Sequence, residues 1–437
     1  MLKNKLLLPV VALLSLTACS SQDILGSSSS IDSFINSNPI TEEHRLNNPN
    51  KAFNNKHQSL NEEYVSSVKE FALDFYSVVA DDKNAIFSPL SIATCYSMLY
   101  EGALENSKAE LEKMLHYSGN FNHLEEIKKM LLNNALEDKE SELYLDLNQS
   151  MWIDNSFKDR ISKSYVEKLE DYYFAEAYKG WLESDEMHGY LADYINEKTR
   201  GFLNVKKEVF KDYAGILWLL NTIYLKTQWS KQFDDGLNKK DNFQNIDGSK
   251  KEVTFMNKTE EASYFKTENY MISSIPLKGN MNFTVLLPNE GTDYQKVLTD
   301  KSAVSAMIEY YNTRNHIGAE ISYKVPQFKV QTSYELNEVL PNLGVVEIFD
   351  DDRANLTGLA DIPGKGNMYV ERSKHEAGIE VGNEGLEAAA YTIIEVDEKS
   401  AAPSQSEKIK FVLDHPFSYV ITSRDGLPLF MGTVNNL

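Results

Sequence analysis

The chain has 437 residues, with 65 Asp or Glu against 44 Lys or Arg and a net charge of −21. Nucleic-acid binding needs a clustered basic surface, and no basic stripe exists here, so nucleic acid is excluded as a partner. The acidity suits an exported protein that must stay soluble, and two cysteines, Cys19 and Cys95, are too few for a disulfide framework.

The chain opens with Met-Leu-Lys-Asn-Lys, then an apolar run from Leu6 to Leu14, then Leu16-Thr17-Ala18-Cys19. Positive residues, a short apolar core and a small-residue site form a secretory leader over residues 1–18. The run is too short to span a bilayer as a helix. Leu-Thr-Ala-Cys resembles a bacterial lipoprotein box, which implies lipid on Cys19, a membrane contact through that anchor alone, and a site at the cell surface or outer membrane. With Cys19 lipidated, no intrachain disulfide remains possible. Cys95 falls in an apolar helical pattern and reads as a buried free thiol. Residues 19–60 are rich in Ser and Asn, with Ser27 to Ser30 in a row, and read as a flexible tether.

From Glu62 the texture becomes that of a folded domain, 61–437. Val65, Val68, Ala72, Phe75 and Val79 recur at helical spacing. Asn84-Ala85-Ile86-Phe87-Ser88 leads to Pro89, which suits a helix start because its missing N–H is not needed there. Ser107 and Glu110 have the spacing of a capping box ahead of Leu111, Met114 and Leu115. Asn148 to Ile153 reads as a strand, and Leu191 to Thr199 as a helix. Ile216 to Leu225 is almost wholly apolar, as in a strand buried on both faces, and carries Asn221, with Trp229 and Phe233 beyond it. Val253–Met256, Asn282–Pro288 and Val325–Lys329 read as further strands, and Leu336–Leu343 as a helix ended by Gly344.

Ile379 to Pro403 has two characters. Leu386, Ala388, Ala390, Thr392, Ile394 and Val396 alternate with Glu387, Ala389, Tyr391, Ile393, Glu395 and Asp397, the period of a strand with one buried face. It then ends in Asp397-Glu398-Lys399-Ser400 and Pro403, which reads as exposed loop. A segment with both readings suits two states. The last strands follow: Phe411 to Phe417, Tyr419 to Ile421 and Leu429 to Gly432.

Glu384-Gly385-Leu386-Glu387-Ala388-Ala389-Ala390 resembles the hinge of the serpins, the serine protease inhibitor family. The resemblance extends to Asn84–Ala103 with the capping-box passage, to Asn148–Ile153, to the helix at Leu191–Thr199 (with Tyr194 where the family usually has Trp), and to the terminal strands. It covers roughly Glu62 to Leu437. It implies an α+β fold: three β-sheets surrounded by about eight or nine helices, with an exposed reactive-centre loop at about residues 383–405. It also implies a monomer that inhibits serine endopeptidases, with cysteine endopeptidases a second class, by inserting the cut loop into the main sheet. Ser88, Asn221, Trp229 and His375 match the family's sheet-opening region. Fourteen residues beyond Gly385 stands Lys399, so the reactive bond is expected at Lys399-Ser400 and the target protease to be trypsin-like. Val396, close by, would suit an elastase-like enzyme. Leu386 stands where the family usually has Thr or Ser; it falls on the apolar side of the alternation and could be buried on insertion, while its bulk could slow the first step. The stretch from Ser400 to Phe411 is several residues longer than usual.

Two other classes compete. A non-inhibitory serpin would act as a surface binder or a plain protease substrate. The small side chains Ala388 to Ala390 speak against it, because insertion needs them. An enzyme would need a catalytic signature, and the chain has no Gly-x-Ser-x-Gly elbow, no phosphate-binding loop and no His-Glu-x-x-His: His375-Glu376 is followed by Ile379, not a second histidine. No catalytic residue, metal or cofactor is expected, and His375 and His415 read as structural.

Overall fold

The structure is a computed structural model that describes residues 43–49, 57–141, 143–312, 316–361, 367–387 and 407–437, together with the backbone of 7–14. The helices are α1 (Glu62–Val79), α2 (Pro89–Tyr100), α3 (Glu105–Met114), α4 (His123–Asn133), α5 (Lys163–Tyr173), α6 (Asp185–Lys198), α7 (Tyr294–Leu298), α8 (Lys301–Ile308) and α9 (Leu336–Val339). The strands are β1 (Leu7–Leu14), β2 (Ala85–Phe87), β3 (Leu136–Asp138), β4 (Leu143–Asp154), β5 (Glu176–Gly180), β6 (Leu217–Gln228), β7 (Lys239–Gln244), β8 (Lys250–Lys266) and β9 (Tyr270–Leu277). They continue with β10 (Met281–Pro288), β11 (Ile317–Pro326), β12 (Phe328–Glu335), β13 (Asn367–Val381), β14 (Gly385–Leu386), β15 (Glu407–Val412), β16 (Phe417–Thr422) and β17 (Pro428–Val434).

Helix starts follow from side-chain chemistry. Asn61, Ser88, Ser162, Ser184, Asp293 and Asp300 each accept from a backbone N–H of the first turn they precede. Pro89 opens α2 as expected. The capping box does not form. Helix α3 begins at Glu105, and Ser107 lies inside it, accepting from the Asn355 N–H. Glu110 instead accepts from the backbone N–H groups of Val346 and Glu347, capping a distant turn.

Strands β13, β14, β6, β4 and β3 run side by side, with β12 flanking β13 and β5 flanking β4. The second and third expected sheets are joined. Seventeen-residue β8 pairs with β11 and β7 and, through Tyr264–Lys266, with β9, so one hydrogen-bonded sheet of nine strands carries both. Helix α6 covers one face of the main sheet, burying Leu191 and Tyr194 against Trp152, Tyr178 and Trp218. On the other face lies α2, wholly buried, with Cys95 Sγ 3.9 Å from the Leu219 carbonyl. Burial pushes that thiol up to about 12, so it is inert, as expected for a core cysteine.

The N-terminal region departs from the sequence reading in two places. Part of the expected tether is docked. Asn47 brackets β5, accepting from the Ala177 N–H and donating to the Ala175 carbonyl, and Arg45 pairs with Glu176 at 2.8 Å. His57 pairs with Asp425 and Gln58 with Asn133. A polar segment can lie on a fold without apolar burial when its own amides complete an open strand edge. The apolar run expected to belong to a leader is also a strand: β1 lies between β13 and β6, parallel to both, with Leu7 level with Asn367 and Leu14 level with His375 and Asn221. The reason is the same: β6 and β13 leave facing ladder groups that any extended segment can satisfy.

Candidate functional site

The site is the seam between β6 and β13. At its upper end the chain leaves β13, turns at Gly382–Glu384 and re-enters the sheet as β14, antiparallel to both neighbours. Leu386 stands level with Val381 and Thr227, and Gly385 with Gln228. Only glycine fits there, since a Cβ on residue 385 would lie 2.2 Å from the Thr227 carbonyl oxygen. Leu386 is 2% exposed. The position faces core, as its place on the apolar side of the alternation implies, and apolar burial favours it there. Glu387 follows, donating its N–H to the Glu380 carbonyl. Burial pushes its carboxyl up to about 7, partly offset by Lys226, Lys329 and the Tyr224 hydroxyl and reinforced by Glu380.

Trp229 locks the turn. Its ring is fully buried, its Nε1 donates to the Gly382 carbonyl at 2.8 Å, and its backbone N–H donates to Glu384 at 3.1 Å. Behind it lies a group that sequence reasoning missed. Asn383 Oδ1 accepts from Asn238 and Gln327, while its amide donates back to Asn238. Lys258 sits 4.7 Å from the Phe233 ring centroid, paired with Glu260 at 2.9 Å, and burial pulls its ammonium down. Nothing in the local pattern marks Asn383 or Asn238. The Lys258/Glu260 pair on one strand face was the one available signal.

Further down, the seam crosses α2. His375 Nε2 accepts from the Ser88 N–H at 3.0 Å, and Ser91 Oγ donates to Asn221 Oδ1 at 2.5 Å. Burial lowers the His375 imidazole to about 3, so it is neutral. Ser88, Asn221 and His375, read separately from the sequence, thus meet in one buried patch. Among the described residues His375 Nδ1, Asn221 Nδ2 and Thr222 Oγ1 have no partner. Each such atom costs about 1–3 kcal/mol in a buried setting, so the patch is held under tension. His415 is structural as expected, bonded to Asp414 and the Pro288 carbonyl.

Below β14, where Glu387 donates to the Glu380 carbonyl, and above the level of His375 and Asn221, β6 and β13 have no named strand between them among the described residues. A cleft opens there, lined by Phe202, Leu203, Ile223, Leu225, Ala377 and Ile379. Its lining is mostly apolar, with Glu376, Glu380 and Glu387 also on its border, and Leu386 of β14 forms part of it. Ala388, Ala389, Ala390, Lys399, Ser400 and Cys19 lie outside the described residues. No group of three or more His, Cys, Asp or Glu is arranged for a metal among the described residues.

The sequence profile of the family described as Serpin (serine protease inhibitor) matches residues 66–437. The chain belongs to the serpin family. It is similar to an uncharacterized serpin-like protein of Thermococcus kodakarensis, 26% identical with 85% of each chain covered, and to human Serpin B7, 27% identical over 84% of this chain and 97% of that one. Among solved structures it resembles the native thermophilic serpin tengpin, with a TM-score of 0.71 at 23% identity, covering 94% of this chain and all of that one. It also resembles thyroxine-binding globulin in complex with thyroxine, with a TM-score of 0.68 at 21% identity over 86% and 98%. Serpins are in general inhibitors or binding proteins rather than catalytic enzymes, and the α+β serpin fold is the fold of this chain.

Proposed function

We propose that this serpin is a suicide-substrate inhibitor of serine endopeptidases, with trypsin-like enzymes favoured and Lys399-Ser400 as its reactive bond. One observation carries the reading: the hinge Gly385–Leu386 is seated as a strand between β6 and β13 of the main sheet, beside a mostly apolar cleft. A protease serine hydroxyl would attack the Lys399 carbonyl carbon. The ester to the protease forms, the C–N bond to Ser400 breaks, and the hydroxyl proton passes by way of the protease base to the departing Ser400 amine. The freed loop then continues the strand that β14 has begun. If each new backbone hydrogen bond contributes about 1 kcal/mol net, insertion releases roughly ten kcal/mol before apolar burial. A catalytic site tolerates errors of only about 1 Å, so dragging the acylated serine stalls ester hydrolysis.

Mixing with trypsin and with elastase, followed by a denaturing gel, tests this. A band that survives denaturation is expected with trypsin, with a released C-terminal peptide starting at Ser400. Lys399→Ala should abolish trypsin trapping while leaving the unfolding temperature unchanged. Complete hydrolysis without a trapped band would move the chain to the substrate or binder class.

The anchor belongs to the same reading. Leu-Thr-Ala-Cys supports lipid on Cys19, with the protein a monomer held at a membrane surface. Cys19→Ala should release the protein from membrane fractions, and mass spectrometry of the mature chain should show a lipidated first residue. An unmodified Cys19 would refute it.

A further inference from the structure

A second cavity, of about 420 Å³, shares no lining residue with the cleft beside the hinge. Its volume falls in the range of small-molecule sites, roughly 300–1,000 Å³. It lies where the two sheets approach each other. Leu136 of β3 stands level with Leu145 of β4, and Leu143 lies two residues before Leu145 on the same face of that strand. Met281 opens β10 of the second sheet, just after the turn at Gly279. A Cβ on residue 279 would sit 3.1 Å from both Leu143 and Met281, so the turn packs directly on the apolar wall. Leu132, in the last turn of α4, completes that wall.

The floor and the rim differ in chemistry. Leu145 and Met281 are buried, whereas Arg424 and Asn280 are exposed. The chain carries 65 Asp or Glu, yet none of them lines this cavity. Asp425, next to the rim, is already engaged: His57 Nε2 lies 2.5 Å from one of its oxygens, and Asn133 donates to the other at 3.1 Å. Arg424 has no hydrogen bond or ion pair among the described residues. An unpaired guanidinium over an apolar floor, in a strongly acidic chain, is arranged for an anion that brings its own apolar body.

We propose that this cavity binds an amphiphilic carboxylate, a medium-chain fatty acid, with its chain against Leu136, Leu143, Leu145 and Met281 and its carboxylate on Arg424. A guanidinium presents two parallel N–H donors that match the two carboxylate oxygens. Asn280 beside it offers a further amide donor. A cationic amphiphile would be repelled by Arg424, and an alcohol would leave the guanidinium without its counter-charge.

Calorimetric titration of the full chain with octanoate, nonanoate and decanoate, each below its micelle point, tests this. Affinity should rise about fourfold per added methylene. Decanol and decyltrimethylammonium should bind about tenfold or more weakly than decanoate. Arg424→Gln, at an exposed position that holds nothing else in place, should weaken decanoate binding about tenfold and erase the preference over decanol. Bound decanoate should also raise hydrogen-exchange protection at the Gln58 amide, which donates to Asn133 on the cavity wall. Absence of decanoate binding overturns the inference, as does equal affinity in Arg424→Gln. Binding that does not grow with chain length would mean a surface ion pair only, and overturns it too.

Discussion

Glu387 is the one acidic side chain that the seated hinge carries into the sheet. With the hinge in place burial raises its carboxyl to about 7, against an ordinary value of 4.5 when the hinge is out in water. The seated state therefore holds its proton more tightly than the free state. Seating is fully favoured below about pH 4.5 and loses favour as pH rises through 7. The surrounding groups, Lys226, Lys329, Glu380 and the Tyr224 hydroxyl, temper this but do not reverse it. Raising pH from 5 to 8 should lower the protection factor of the Leu386 amide, its exchange rate being compared with that of an unstructured peptide at each pH, and Glu387→Gln should flatten that dependence. Equal protection factors at both pH values in the wild type would refute the link. The neighbouring Leu386 was legible as far as its side: the alternation put it on the apolar face, but the residues that flank it there, Thr227 and Val381, lie far along the chain.

At the scale of elements, much of the site was legible because its signals are local. Ser88-Pro89 marks the start of α2, the apolar run before Trp229 marks a strand buried on both faces, and the small residues after Gly385 mark a segment able to become one. What stayed hidden depends on partners far along the chain. The amide cluster joins Asn238, Gln327 and Asn383, and Glu110 caps a turn at Val346 and Glu347, so no window of sequence contains either arrangement. The docked tether was missed for the same reason, since Asn47 matters only through the open edge of β5. The alternation beyond Leu386 yields a direct element-scale test. Leu386 faces the core, so Ala388 and Ala390, on the same side of the alternation, would follow it inward on insertion. A charge at either place would be stranded in a low-dielectric interior. Ala388→Asp and Ala390→Arg should remain cleavable by trypsin yet lose most of the gel-stable complex. Wild-type trapping by both variants would rule out strand insertion.

At the scale of the whole molecule, the described state is one of unfinished pairing. Among the described residues no named strand lies between β6 and β13 along the cleft, and His375 Nδ1, Asn221 Nδ2 and Thr222 Oγ1 in the patch beneath have no hydrogen-bond partner. On the inhibitory reading proposed above, such a fold would persist through a kinetic barrier, and completing the strand would remove the deficit. With roughly ten kcal/mol released, loop cleavage should raise the unfolding temperature of the mature protein by on the order of 20 °C. The unprocessed chain should behave otherwise. There β1 already spans Leu217–Asn221 and Asn367–His375, the lower part of the seam that the loop residues up to Lys399 would need. Two strands cannot hold one set of ladder groups, so a chain that keeps its leader should be cut by trypsin without trapping it, and should gain little unfolding temperature from the cut. The comparison is made between the full-length chain and one beginning at Cys19, by calorimetry before and after cleavage and by denaturing gel. If the two forms trap trypsin equally well and stabilise equally on cleavage, the leader does not compete for the seam. If only the processed form does so, removal of the leader is the step that frees the sheet to receive the loop.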